Sequence, residues 1–132
     1  MIVTDASVVV HVIAREGEPG RQARGRLRGE SIAAPHLLDL EVCSALRRHV
    51  RQRLLTPGRA ESAIADLRSM PIQRVPHGGL LARCWELRDN LTVYDASYVA
   101  LAELLGATLL TGDERLARAP GLRCRVEVVL TS

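Results

Sequence analysis

Residues Tyr94 to Asp113 read YDASYVALAELLGATLLTGD, and the fold of the chain turns on them. Tyr98, Leu101, Ala102, Leu104 and Leu105 recur at helical spacing. Gly106 supplies the residue at which such a helix stops. Ala107 to Thr111 is a short apolar run, typical of a strand buried on both faces. A helix leading into such a strand is half of a parallel α/β unit. In open parallel sheets, sites form where strands end and helices begin. Asp95, at the helix start, and Asp113, after the strand, both fall on those edges.

Working outward, Ile2 to Thr4 predicts a short strand ended by Asp5. Ser7 to Ile13 (SVVVHVI) is β-rich by propensity, yet it follows a strand end, and a parallel sheet needs a crossover there, so a helix is expected. Gly17 to Gly20 breaks the chain. Arg21 to Arg28 predicts a basic helix with Arg21, Arg24 and Arg28 on one face. Ile32 to Ala34 predicts a second strand. Pro35 is then expected to open a long helix to about Arg53, with Leu37, Leu38, Glu41, Ala45 and Leu46 on its inner face. Thr56 caps a helix to about Met70, Ile72 to Val75 forms a third strand, and Gly79 to Asp89 a further helix. After Ala107 to Thr111 come a helical turn near Asp113 to Ala119, a turn at Pro120-Gly121, and a last strand from Arg125 to Leu130. Strands alternating with helices over short connections predict one α/β domain spanning residues 1–132, with a central parallel sheet of four to five short strands flanked by helices on both faces.

Composition narrows the function. The 132 residues are 47% hydrophobic and 25% charged, enough for a real core and too apolar for disorder. Phe is absent and aromatics make up 2%, so the core rests on Leu, Val, Ile and Ala. That scarcity also argues against an aromatic platform for stacking bases. The net charge is +3, and all 18 basic residues are Arg, which keeps a nucleic acid among the natural partners. Cys43, Cys84 and Cys124 show no zinc spacing and are expected to stay reduced in a cytoplasmic protein. Met1 leads straight into a strand-like run, so no signal peptide is expected. No apolar run approaches the roughly 20 residues of a membrane span.

Four carboxylates then stand out. Asp5 and Asp113 both follow strand C-termini and so share one edge of a parallel sheet. Asp95 begins the helix before the fourth strand. Glu41 sits inside its helix, roughly 9 Å from the N-terminus at about 1.5 Å per residue, and side chains on a helix lean back toward its start. It lies on a face that should be buried, where a carboxylate needs a partner. Taken singly, each acid has a plainer explanation: Asp95 and Asp113 as caps, Asp5 as a turn residue, Glu41 bent out to solvent. Taken together, converging acids raise one another's pKa unless a cation neutralises them. Oxygen ligands without paired His point to Mg²⁺ or Mn²⁺. Such an ion binds phosphate oxygens and activates water, so a phosphodiester is the natural substrate.

DASVVV after the first strand, the Glu within PHLLDLEVCSAL, YDASYVALAE and TGDERLA resemble PIN-domain ribonucleases, and more closely VapC toxins of VapBC toxin–antitoxin systems. The resemblance spans essentially the whole chain. It implies a PIN-like fold and a Mg²⁺-dependent endoribonuclease that leaves a 5′-phosphate and a 3′-hydroxyl. It maps the acidic positions onto Asp5, Glu41, Asp95 and Asp113. The mechanism expected from them has Asp5 and Asp95 hold the principal metal, with Glu41 and Asp113 completing the anionic metal site by a second metal or by orienting waters. Ser7 and Thr111 match small hydroxylated positions that support the acids. The resemblance also implies a homodimer and a VapB-type antitoxin whose C-terminal segment crosses the groove. Where many relatives place an aromatic shortly after the fourth acid, this chain has Leu116. Readings from other classes fare less well. A receiver domain needs a Lys that is absent here, and a haloacid-dehalogenase-type phosphatase wants DxD where Asp5-Ala6-Ser7 stands. The alternative that stays open is a catalytically silent PIN-fold module that binds RNA or protein without cutting.

Overall fold

The computed structural model describes residues 1–15 and 17–129. Those residues form strands β1 (Ile2–Thr4), β2 (Ile32–Pro35), β3 (Ile72–Val75), β4 (Thr108–Thr111) and β5 (Val126–Val128). Between them run helices α1 (Ala6–Ala14), α2 (Glu18–Leu27), α3 (Leu37–Arg51), α4 (Pro57–Ser69), α5 (Leu81–Glu86), α6 (Val93–Leu105) and α7 (Glu114–Ala117). All strand pairs are parallel, in the order β3-β2-β1-β4-β5. The chain moves from β1 outward to β3, then crosses back over the sheet to β4. The order therefore reverses between β1 and β4, and connections leave those two strands in opposite directions. A crevice opens at such a switch point, at the C-terminal edge of the sheet.

The central strands are buried on both faces, which explains their unbroken apolar sequences. Ile2, Val3, Thr4, Leu109, Leu110 and Thr111 are all buried. One core cluster packs Val3 and Leu109 with α1, α3, α4, α5 and α6; a smaller one gathers Ile2, Leu110, Val8, Ala23, Leu27 and Val129. The β-branched run after Asp5 is helical, as the crossover requires, because Asp5 caps its start and Val8, Val9, Val10 and Ile13 are all buried. At Gly20, an added Cβ would run into the Arg15 carbonyl, so α2 crosses the end of α1 at backbone contact. Arg24 fastens this crossing by donating to the carbonyls of Val12 (3.2 Å) and Arg15 (3.5 Å).

Several boundaries differ from the sequence reading. Pro35 does not open α3; it ends β2, in register with Val75. Its missing N–H costs nothing there, because the next donor, His36 N–H, reaches the Val75 carbonyl at 2.9 Å. The helix expected at Gly79 to Asp89 is a 3₁₀ turn at Gly78–Leu80 followed by the short α5. Leu130, at the expected end of the last strand, lies outside the described residues. Arg28 falls beyond the last turn of α2, and Arg21 pairs with Glu18 at 2.9 Å, so the expected arginine face is only partly free. Leu116 is 3% exposed and fills core space in α7. No helix among the described residues is long and apolar enough to cross a membrane.

Candidate active site

Asp5 ends β1 and caps α1, accepting from Val8 N–H at 3.2 Å. Two hydroxyls complete its shell. Ser7 Oγ donates to Oδ1 at 2.6 Å and Thr111 Oγ1 donates to Oδ2 at 2.5 Å. Both hydroxyls also accept: Ser7 from Gly112 N–H at 2.9 Å, Thr111 from Asp113 N–H at 3.0 Å. A chain of hydrogen bonds thus ties the loop after β4 to the residue after β1. It fixes both oxygens of Asp5 and the backbone that carries Asp113. Burial pushes the Asp5 carboxyl above its usual range despite these three donors, and the nearby Asp95 charge adds to the rise.

The other acids arrive from three further segments. Glu41 is the fifth residue of α3, roughly 6 Å along the axis rather than 9 Å, because the helix starts at Leu37. It is half-buried and raised by burial and by the charges of Asp95 and Asp5. Asp95 lies in the first turn of α6, whose N-cap is Thr92; Thr92 Oγ1 accepts from Asp95 N–H at 3.0 Å. Burial and the Asp113 charge raise Asp95 as well. Asp113 caps α7 at the rim. Partial burial pushes it up, but the Arg115 side chain, 3.4 Å away, and the backbone N–H groups of Arg115 and Leu116 bring it below its usual range. Asp113 is therefore a cap as expected, and Asp5 is a cap rather than a turn residue. Asp95 is a first-turn residue behind the Thr92 cap. These local roles coexist with convergence, since all four acids line one cleft of about 320 Å³.

Three further residues of that cleft escaped the sequence reading. Tyr98, expected to be a packing residue, is 1% exposed and donates its hydroxyl to Glu41 Oε1 at 2.6 Å. It supplies the partner that a buried carboxylate on α3 requires. Burial and the Glu41 charge push its own pKa far up, so it stays a donor. The signal was available, since Tyr98 follows Asp95 by one helical turn and so shares its face. Ser44 and Arg48 also line the cleft, on the same stripe of α3 as Glu41. Among the histidines, His77 accepts the otherwise unpaired Leu37 N–H at 2.9 Å and so caps α3.

Tyr98→Phe leaves a buried Glu41 oxygen without a donor. It is expected to lower cleavage about tenfold, to move the acidic limb of the pH–rate profile upward, and to cost about 1–2 kcal/mol of stability. A pH profile and a thermal melt of the variant check this; an unmoved acidic limb would separate Tyr98 from Glu41.

The donor set suits a hard divalent ion. Its ligating groups are carboxylate oxygens, neither His nor Cys lines the cleft, and three of the four acids are held above their usual range by burial, with carboxylate repulsion adding to it. Among the described residues, no three His, Cys, Asp or Glu side chains stand close enough to form a closed ligand set. Lining one cleft is a weaker condition than ligating one point. Mg²⁺ fits such an open site because it keeps several waters and takes only one or two carboxylates.

The PIN domain model matches residues 2–122. The ribonuclease VapC1 of Mycobacterium tuberculosis is 45% identical over 128 residues, which is 96% of each chain. This chain belongs to the VapC ribonucleases of the PIN-domain family. The crystal structure of M. tuberculosis VapC20, a sarcin–ricin loop cleaving toxin, superposes with a TM-score of 0.71 at 16% identity, covering 95% of this chain and 99% of that one. VapBC2 from Rickettsia felis, solved bound to a DNA fragment from its promoter, gives 0.70 at 15% identity, covering 97% and 98%. At these identities the likeness to the two solved structures shows the fold alone.

Proposed function

We propose that the acidic cleft is the active site of a Mg²⁺-dependent endoribonuclease, with Mn²⁺ as a working substitute, in which Asp5, Glu41, Asp95 and Asp113 act on the phosphodiester. Membership of the VapC ribonucleases makes the chain the ribonuclease toxin of a VapBC toxin–antitoxin system. The observation that carries the site is the meeting of four acids from four separate segments in one cleft, three of them held above their usual range.

Asp5 and Asp95 would hold the ion, which when bound stabilises charge on phosphoryl oxygens and acidifies water. The chain's own groups do the rest. Ser7, Thr111 and Val8 N–H keep Asp5 in one orientation. Glu41, raised by burial and held in place by the Tyr98 hydroxyl, would take the proton from the attacking water. Asp113, ionised beside Arg115 at the rim, orients solvent. Attack on phosphorus in line with the 3′-oxygen forms the new P–O bond and breaks the bond to that oxygen, which takes a proton from water in the open cleft, leaving a 5′-phosphate and a 3′-hydroxyl.

The partners proposed are an RNA substrate, a VapB-type antitoxin and a second copy of the chain in a homodimer, in the cytoplasm, with residues 1–132 as one domain. Support for a protein partner comes from exposed Leu81, Trp85, Val93 and Tyr94, an apolar grouping larger than isolated surface residues give. Incubation of RNA with Mg²⁺ and with EDTA tests the activity. Fragments bearing 5′-phosphates in Mg²⁺ only are expected. RNA that is bound but intact in Mg²⁺ would establish the silent module instead.

A further inference from the structure

Helices α1 and α3 follow neighbouring parallel strands, so both start at the C-terminal edge of the sheet and run away from it together. Each begins with an acid and ends with cations. On α1, Asp5 is the N-cap and Arg15 the C-cap. On α3, Glu41, Ser44 and Arg48 face the cleft, and Arg48 lies seven residues past Glu41 on the same stripe. That is about 10 Å along the axis. The cleft is thus acidic where the strands end and carries Arg48 farther along α3, while Arg15 stands at the far end of α1 outside its lining.

Most other cations near carboxylates are already neutralised: Arg26 by Glu127, Arg74 by Asp39, Arg83 by Glu103, Arg115 by Asp113. Among the described residues, Arg15 and Arg48 take part in no ion pair. His49 lies beside them. Burial lowers its pKa first, and the charges of Arg15, Arg48 and His11 lower it further, so these groups share one positive field. His49 Nδ1 is buried without a hydrogen-bond partner. The field at this end of the cleft is one that an anion would relieve.

We propose that Arg48, with Arg15 beside it, forms a phosphate subsite that grips the RNA backbone next to the phosphodiester being cleaved. The proposal rests on reading the acidic cleft as the RNA-cleaving site. Guanidinium groups fix a phosphate by paired N–H donors without reading the base. The subsite therefore sets where the strand lies across the acids, not which sequence is cut.

The test uses the full chain with a fluorescein-labelled single-stranded RNA of mixed sequence. Binding is measured in EDTA across a salt series, and turnover in Mg²⁺. Each phosphate contact contributes about 0.7 to the slope of log K against log salt for a single strand. Arg48→Gln is expected to reduce the slope by about that amount, and the Arg15→Gln/Arg48→Gln pair by about 1.4. In turnover, Arg48→Gln should raise KM about tenfold with kcat within about twofold, since it removes binding rather than chemistry. Arg47→Gln is the control: the same charge loss on the same helix, exposed and outside the cleft. Equal slope changes in the Arg47 and Arg48 variants would overturn the subsite in favour of diffuse attraction. An unchanged slope in Arg48→Gln, or a fall in kcat with KM unmoved, would overturn it outright. If the parent protein leaves RNA intact in Mg²⁺ while Arg48→Gln still lowers the slope, the cleavage reading fails and the subsite stands.

Discussion

Asp5→Asn is expected to lose RNA cleavage by about 10³-fold or more, equivalent to about 4 kcal/mol of barrier, while the metal-free protein becomes no less stable. The two effects have one cause. Asp5 is held above its usual range by burial, and the Asp95 charge adds to the rise. An uncharged isostere relieves that repulsion and keeps Oδ1 as acceptor for Val8 N–H and the Ser7 hydroxyl. Its amide faces Thr111 Oγ1, which already accepts from Asp113 N–H and has a second lone pair to offer. The buried Thr111 hydroxyl then lacks its acceptor, a cost of about 1 kcal/mol set against the removal of a charge that burial disfavours. What the variant loses is the negative charge on which metal affinity depends. Stability gained where function is lost is the pattern expected of a site that stores like charges. Cleavage assays in Mg²⁺ and thermal melts in EDTA measure both halves. Near-parental cleavage would remove Asp5 from the mechanism, and a melting temperature well below the parent's would show that its charge serves the fold.

Much of this arrangement was legible because it follows from topology. Once Ala107 to Thr111 is a strand fed by a helix, and Ile2 to Thr4 another, parallel pairing places Asp5 and Asp113 on one edge and the start of α6 beside them. The helical reading of Ser7 to Ile13 held against β propensity because a crossover was needed after Asp5. Periodicity, by contrast, says which face a residue occupies and not whom it meets. It placed Tyr98 in the core but could not show that its hydroxyl reaches Glu41, 57 positions away in sequence. Arg48 carries no signal for the same reason: among neighbouring arginines near the end of α3, nothing in its position marks it as the one that lines the cleft. Pro35 misled because the first turn of a helix and the end of a strand both tolerate a missing N–H.

In EDTA, the protein is expected to lose stability as pH climbs through the window above about 4, the ordinary carboxylate pKa, and Mg²⁺ is expected to restore it. Asp5, Glu41 and Asp95 all have folded-state pKa values raised above the usual ones. Across that window the folded chain binds more protons than the unfolded chain. The stability they contribute is therefore fully present below the ordinary carboxylate pKa and is lost as pH climbs through the raised values. Glu103, Asp113 and Glu127 are lowered and act in the opposite sense. Their contribution is lost only as pH falls through their depressed values, below the window. His49, lowered by burial, gains stability as pH rises through the ordinary histidine range, one imidazole set against three raised acids. A divalent ion replaces those protons as the neutralising charge. At about 100 times its Kd it stabilises by about 2.7 kcal/mol, roughly 10 °C in melting temperature for a domain of this size. The gain should be larger at pH 8 than at pH 5, where protons compete for the same carboxylates. Melts at both pH values, with EDTA and with Mg²⁺, give the four numbers needed. A melting temperature that climbs with pH in EDTA, or one that Mg²⁺ leaves unmoved at pH 8, would mean that the acids are not the linked, ion-seeking group their burial makes them.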